Sequence, residues 1–160
     1  MVKRISLPGL AAPGGAKPFM ALCLLALALG LVVAKFFYTS VWAVPVGGVG
    51  ALYLLTRERV GSFRLGFCYA IGLFAPLFQF TQVSMGNPLG WVALTIFESL
   101  YLAVFAWLWA AVSGTAWVRE HLLSGTVIFA FLFAGCEQLR SSWPLGGFAW
   151  ARLAQSQIYS

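Results

Sequence analysis

Glu98 is the residue whose type and position most strongly indicate chemistry in this sequence, because it interrupts a long apolar stretch. Tyr101 follows three residues later, and residues at this spacing are neighbours on one face of a helix. A charged residue at the centre of a membrane helix costs about 2.5–3.5 kcal/mol, so we expect Glu98 to face protein or water, or to be protonated. It could bind protons or a substrate, but we favour a structural hydrogen bond to another helix.

Glu137 and Arg140 form a second charged pair, three residues apart at the end of another apolar stretch. One interpretation is an interfacial ion pair, which contributes little to stability if it is wet. The other is a functional element that acts together with the residues after it. Those residues are a helix-stopping turn at 144–147 and then Phe148 and Trp150, whose rings suit a membrane interface.

Gln79 and Gln82 place two amide side chains in a further apolar stretch. At helical spacing, Gln79 shares one stripe with Gly72, Pro76 and Val83. We predict that this small, kinked and polar stripe packs against other helices, and the alternative is that it lines a cavity.

The cysteines and the histidine show no pattern of a metal or redox site. Cys23, Cys68 and Cys136 each lie in an apolar stretch without metal-ligand spacing, and we predict buried free thiols. His121 is the single histidine of the chain, and we predict a solvated loop residue there. We therefore expect neither a bound metal nor a cofactor.

The overall composition places these residues in a membrane protein. Of the 160 residues, 61% are hydrophobic and 9% are charged, and the mean hydropathy is +0.89. An ordinary soluble domain carries roughly 25% charged residues, so this chain has too few to cover a soluble surface. The net charge of +6 does not indicate nucleic acid as a partner, because the basic residues are scattered between apolar stretches.

Five apolar stretches predict five transmembrane helices, since about 20 residues of helix cross the apolar core of a bilayer. We therefore expect an all-α fold, a multi-pass transmembrane helical bundle, with helices at 19–38, 41–56, 66–85, 90–112 and 122–139. The first stretch could instead be a cleaved signal peptide, because Val32 and Ala34 resemble a cleavage site. We favour a retained helix, because Lys35 and the aromatic residues after it resemble an interfacial anchor.

The distribution of lysine and arginine predicts the orientation of the bundle. With the N-terminus inside, seven of the ten basic residues lie in inside segments and three lie outside. The domains that follow are a basic cytoplasmic arm at 1–18, the transmembrane bundle at 19–139 and an extracytoplasmic segment at 140–160.

Three short motifs follow one another in residues 137–157. They are Glu-Gln-Leu-Arg at 137–140, Gly-Gly-Phe-Ala-Trp at 146–150 and Leu-Ala-Gln-Ser-Gln at 153–157. In this order they resemble the apolipoprotein N-acyltransferase family of the bacterial inner membrane. The turn in that family contains Gly-Phe-Pro-Trp, so Ala149 replaces a proline here, which we expect only to loosen the turn.

The resemblance extends over residues 42–157 and includes a second stretch, the glycine- and aromatic-rich sequence at 66–74. The Arg-Leu-Ala sequence at 152–154 suggests the actinobacterial branch. The resemblance implies a multi-pass enzyme of the inner (plasma) membrane that transfers an acyl chain from phospholipid to the N-terminal amine of a diacylated lipoprotein. Its expected partners are therefore membrane phospholipid and diacylated lipoprotein.

The resemblance also implies where the catalysis occurs. Members of the family continue into a nitrilase-like domain outside the membrane, whose Glu-Lys-Cys triad supplies an activated thiolate nucleophile. No lysine follows Lys35 and no cysteine follows Cys136 in this sequence, so no catalytic residue can be assigned. We expect a chain truncated before the catalytic domain, by a frameshift, an early stop or an incomplete gene, and inactive alone.

Only the outer segment carries residues that match the site of the family. The resemblance implies that this segment lies under the catalytic domain near the lipid entrance, with a functionally important tryptophan that corresponds to Trp150. The predicted substrate-binding residues are Glu137, Arg140, Gly147, Phe148 and Trp150. The sequence also allows a small transporter or channel subunit that uses Glu98, Gln79 and Gln82, or a non-enzymatic membrane scaffold.

Overall fold

The computed structural model describes residues 16–39, 41, 43–57, 60–143 and 152. All regular structure within these ranges is helical. The helices are α1 (Ala16–Phe36), α2 (Ala43–Thr56), α3 (Ser62–Leu77), α4 (Phe80–Met85), α5 (Pro88–Ser113), α6 (Ala116–Glu120) and α7 (Leu122–Ser142). The predicted all-α bundle is confirmed, and every predicted apolar stretch contains a helix.

The helix ends differ from the predicted ones by a few residues. α5 begins at Pro88, where the side chain of Asn87 accepts a hydrogen bond from the backbone N–H of Leu89 at 2.8 Å. An asparagine cap followed by proline is a common helix start, because the cap satisfies an N–H and proline needs no partner. α7 ends at Ser142 rather than at 139, so Arg140 lies in its last turn. The short helix α6 was not predicted.

The predicted helix at 66–85 is wrong in its middle, because the chain breaks there into α3 and α4. Pro76 has no N–H, and its ring conflicts with a regular helix. The N–H of Gln79 donates to the carbonyl of Pro76 at 3.3 Å rather than to that of Ala75. The Ala75 carbonyl instead accepts a hydrogen bond from the indole N–H of Trp91 in α5, at 2.8 Å. A second helix thereby supplies the hydrogen bond that the Ala75 carbonyl lost at the break. In apolar surroundings such a carbonyl needs a partner within the protein.

The predicted packing stripe does not form one continuous surface. Gly72 packs closely against the backbone of α1 at Leu27. Gln79 is exposed, and Val83 is 87% exposed. Because α3 ends at Leu77, residues before and after the break no longer share one helical face.

Glycines let the helices at the centre of the bundle approach each other closely. A Cβ atom added to Gly30 of α1 would collide with the carbonyl oxygen of Tyr69 in α3. A Cβ atom on Gly66 of α3 would press on Ala106 of α5. Small residues at such contacts are typical of helices that associate in membranes, where backbones pack without a hydrophobic driving force.

The outward faces of the bundle are apolar. α1 from Lys17 onwards, α5 and α7 are long and apolar enough to cross a membrane, while α2 and α3 are apolar but shorter. Leu24, Leu123 and Phe131 are 62%, 84% and 75% exposed. Side chains of this kind, exposed on several helices, suit contact with lipid. The described residues therefore form the helical bundle of a membrane protein.

Candidate functional site at the junction of α5 and α7

Glu98 and Arg140 form an ion pair inside the bundle. Oε2 of Glu98 accepts a hydrogen bond from Nη1 of Arg140 at 3.1 Å, and the two side chains are 2% and 1% exposed. This confirms the prediction that Glu98 faces the interior and contacts a polar group of another helix. In apolar surroundings each charge offsets the cost of burying the other.

Arg140 joins three helices at this point. Its guanidinium carbon lies 5.1 Å from the centroid of the Phe74 ring in α3, while its ion-pair partner Glu98 belongs to α5. The face of an aromatic ring attracts a cation, and the attraction is stronger where water is excluded. Arg140 is therefore a buried residue and not part of a wet surface pair.

Tyr101 makes the second contact between α5 and the end of α7. Its hydroxyl donates a hydrogen bond to the backbone carbonyl of Trp143 at 2.7 Å. Trp143 has extended backbone angles, φ −141° and ψ 145°, so the helix stops there. The Cys136 thiol, two turns before Trp143, contacts the backbone carbonyl of Tyr101 at 3.5 Å. The face of α5 that carries Glu98 and Tyr101 therefore meets the C-terminal turns of α7.

The side chain of Arg152 contacts the same end of α7. Its Nη2 donates a hydrogen bond to Oε1 of Gln138 at 3.3 Å. Gln138 is exposed and lies one turn before the helix end. The described residues on either side of segment 144–151, Trp143 and Arg152, thus both contact the α5–α7 pair.

The structure brings together two of the five predicted substrate-binding residues. Glu137 is half-buried and lines a cavity of about 20 Å³ with Arg140, among residues of α1, α2, α3 and α5. Both side chains therefore turn towards the bundle. Gly147, Phe148 and Trp150 lie outside the described residues.

A groove of about 490 Å³ runs between α5 and α7 beside this junction. Its walls are almost wholly apolar and include Val104, Phe131 and Leu139, with Tyr101 and Trp143 at one end. The sequence did not predict this groove, because its position depends on how α5 and α7 pack against each other. Its shape and chemistry suit an alkyl chain.

The structure also places the three cysteines and the histidine. Cys23, Cys68 and Cys136 are free and half-buried. His121 is exposed, and its ring stacks on that of Trp117 with centroids 5.4 Å apart. Among the residues that the structure describes, no three His, Cys, Asp or Glu side chains are close enough together to hold a metal ion.

The fold and the junction define a helical membrane protein whose α5 and α7 are joined by a buried ion pair. Residues 25–160 match the family model described as the apolipoprotein N-acyltransferase N-terminal domain. A protein of Azotobacter vinelandii (strain DJ / ATCC BAA-1303) named apolipoprotein N-acyltransferase is 31% identical in an alignment 153 positions long, gaps included, that covers 84% of this chain. This chain belongs to the apolipoprotein N-acyltransferase family. It spans 28% of the length of that relative.

Proposed function

We propose that this chain is the membrane part of an enzyme that transfers an acyl chain from phospholipid to the N-terminal amine of diacylated lipoproteins. The observation that carries the proposal is the family match over residues 25–160, which includes the α5–α7 junction and all five predicted site residues. The apolar groove beside the junction supports it, because an acyl donor in the bilayer needs an apolar surface along its chains.

The proposed chemistry has two steps. A cysteine thiolate attacks an ester carbonyl of the phospholipid, which forms a thioester and releases a lysophospholipid. The lipoprotein amine then attacks the thioester, which forms the amide and frees the thiol. The resemblance assigns the thiolate to a nitrilase-like domain outside the membrane, and we propose that the described bundle supplies the lipid-facing surface beneath that domain.

The five predicted site residues have different roles in this proposal. We propose that Gly147, Phe148 and Trp150 contact the lipid substrate at the outer face of the membrane, and that Glu137, in the last two turns of α7, belongs to the same site. Arg140 acts from within the bundle, because its side chain is buried against Glu98.

The proposal requires a defined topology in the bacterial inner membrane. We propose five crossings, with the N-terminus in the cytoplasm and Ser160 outside, from the seven-to-three distribution of basic residues. Alkaline phosphatase fused after Ser160 is expected to be active, and the same enzyme fused after Arg59 is expected to be inactive. An inactive fusion at Ser160 that is stably inserted would contradict the odd number of crossings.

A polypeptide of these 160 residues is expected to show no acyl transfer by itself. Cys136 is the thiol nearest to charged groups, but it is half-buried in α7 and its thiol contacts a backbone carbonyl. A catalytic thiol needs an accessible position and a base beside it. The measurement is transfer of a labelled acyl chain to a diacylated lipopeptide by the purified chain in detergent. Turnover that disappears in Cys136→Ala, but not in Cys23→Ala, would make this chain an enzyme in its own right.

A further inference from the structure

Helices α1 and α3 run in the same direction along their contact. Near the start of both helices, the guanidinium carbon of Arg64 in α3 lies 5.9 Å from the centroid of the Phe19 ring in α1. Eight residues further along each helix, Gly72 packs so closely on Leu27 that an added Cβ atom would collide with the Leu27 carbonyl oxygen. The two helices are therefore parallel, and their residues stay in step between these two contacts.

Cys23 and Cys68 lie halfway between these two contacts. Each cysteine is four residues from both contacts on its own helix, and this spacing keeps residues on one helical face. The register therefore places the two side chains opposite each other. The structure agrees, because a hydrogen-bond contact joins the thiol of Cys68 to that of Cys23. Both thiols are free, and both side chains are half-buried.

The packing of α1 on α3 favours a disulfide at this position. A disulfide needs Cα atoms no more than about 7 Å apart and side chains that point towards each other. Gly72, one turn beyond Cys68, brings α3 against the backbone of α1, and Gly30 does the same from α1. The contact between the thiols shows that the side chains point towards each other. The thiol of Cys136 in α7 contacts a backbone carbonyl instead, so it provides an internal control.

We propose that Cys23 and Cys68 form a modification site, at which an uncharged two-electron oxidant such as a molecular halogen links α1 to α3 by a disulfide. With iodine, the sulfur of one cysteine takes an iodine atom, and its proton leaves together with iodide. The second thiol then displaces iodide from that sulfur and loses its own proton as the S–S bond forms. Two thiols are oxidised, and one iodine molecule is reduced to two iodide ions. This site does not depend on the proposed acyl transfer.

The test is oxidation of the purified 160-residue chain in lipid nanodiscs that hold one chain each, which prevents disulfides between chains. Reductant is removed, one molecule of iodine per chain is added, and the reaction is stopped with thiosulfate. The chain is then unfolded in dodecyl sulfate, and a maleimide of known mass labels every thiol that remains. Mass spectrometry counts the labels and identifies disulfide-linked peptides after digestion.

Before oxidation we expect a label on each of the three free cysteines. After oxidation of the folded chain we expect a single label, on Cys136, and a peptide that links Cys23 to Cys68. Cys136→Ala is expected to keep this disulfide and to carry no label. Cys23→Ala and Cys68→Ala are each expected to keep two labels, because neither retains the pair. A chain oxidised after unfolding is expected to contain a mixture of pairings, since all three thiols can then meet.

Absence of the linked Cys23–Cys68 peptide from the oxidised folded chain would overturn the proposal. A disulfide that includes Cys136 in the folded chain would also overturn it. So would the same mixture of pairings in the folded and unfolded chains, because the pairing would then not depend on the packing of α1 on α3.

Discussion

Arg140→Met is expected to destabilise the bundle by about 3–5 kcal/mol, the cost of removing one partner of a buried ion pair. The substitution keeps most of the side-chain volume and removes the charge. It leaves the carboxylate of Glu98, 2% exposed, without its cation among apolar helices. The Phe74 ring also loses the guanidinium above it.

The double variant Glu98→Leu/Arg140→Met is expected to recover most of that loss, because apolar residues of similar volume replace a buried pair at little cost. Unfolding in mixed micelles of increasing dodecyl sulfate content, followed by circular dichroism, gives the free energies to compare. Arg64→Met is the matched control, since Arg64 is exposed and surface substitutions usually change stability by less than about 0.5 kcal/mol. Equal stabilities of Arg140→Met and Arg64→Met would show that the buried pair does not form.

Gly72→Ala is expected to push α1 away from α3. The free energy of unfolding is expected to fall by about 1–3 kcal/mol or more, the range for overpacking a close contact. The new Cβ atom would collide with the carbonyl oxygen of Leu27, which is backbone and cannot rotate away. Gly30→Ala meets the same obstacle from the other helix, against the carbonyl oxygen of Tyr69.

The matched controls for this prediction are Gly47→Ala and Gly50→Ala in α2, where an added Cβ meets no atom within 4 Å. Alanine in a helix is favoured over glycine by up to about 1 kcal/mol, so these controls are expected to be neutral or stabilising. The same micelle titration measures all four variants. A Gly72→Ala chain as stable as Gly47→Ala would disprove the close packing of α1 on α3.

The architecture was predictable because membrane insertion constrains composition so strongly. Long apolar stretches with few charges predict helices regardless of their detailed packing, and the structure contains a helix in each of them. The interruption at Pro76 was visible in the sequence, but whether proline bends a helix or divides it depends on a partner for the freed carbonyl. Here that partner is Trp91, whose contact with Ala75 arises only from the packing of α5 on α3.

The candidate site was predictable in part. The cost of a charge in lipid correctly predicted that Glu98 faces the interior. Its partner Arg140 was not predicted, although the two residues are opposite charges in neighbouring apolar stretches. Their contact depends on which residues of α5 and α7 lie side by side. Aromatic contacts between the two helices, such as that of Phe105 with Phe133, set this alignment. Spacing along the chain carries no such information for residues 42 positions apart.

Acyl transfer by a chimeric enzyme tests the central claim most directly. In the chimera, residues 1–160 replace the matching N-terminal part of the Azotobacter vinelandii relative, and the remainder of that protein is kept. The chimera is expected to transfer a labelled acyl chain from phospholipid to a diacylated lipopeptide, and to lose most of this activity in Trp150→Ala. A chimera that inserts stably and contains a folded catalytic domain, but transfers no acyl chain, would contradict the assignment of this chain as the membrane part of such an enzyme.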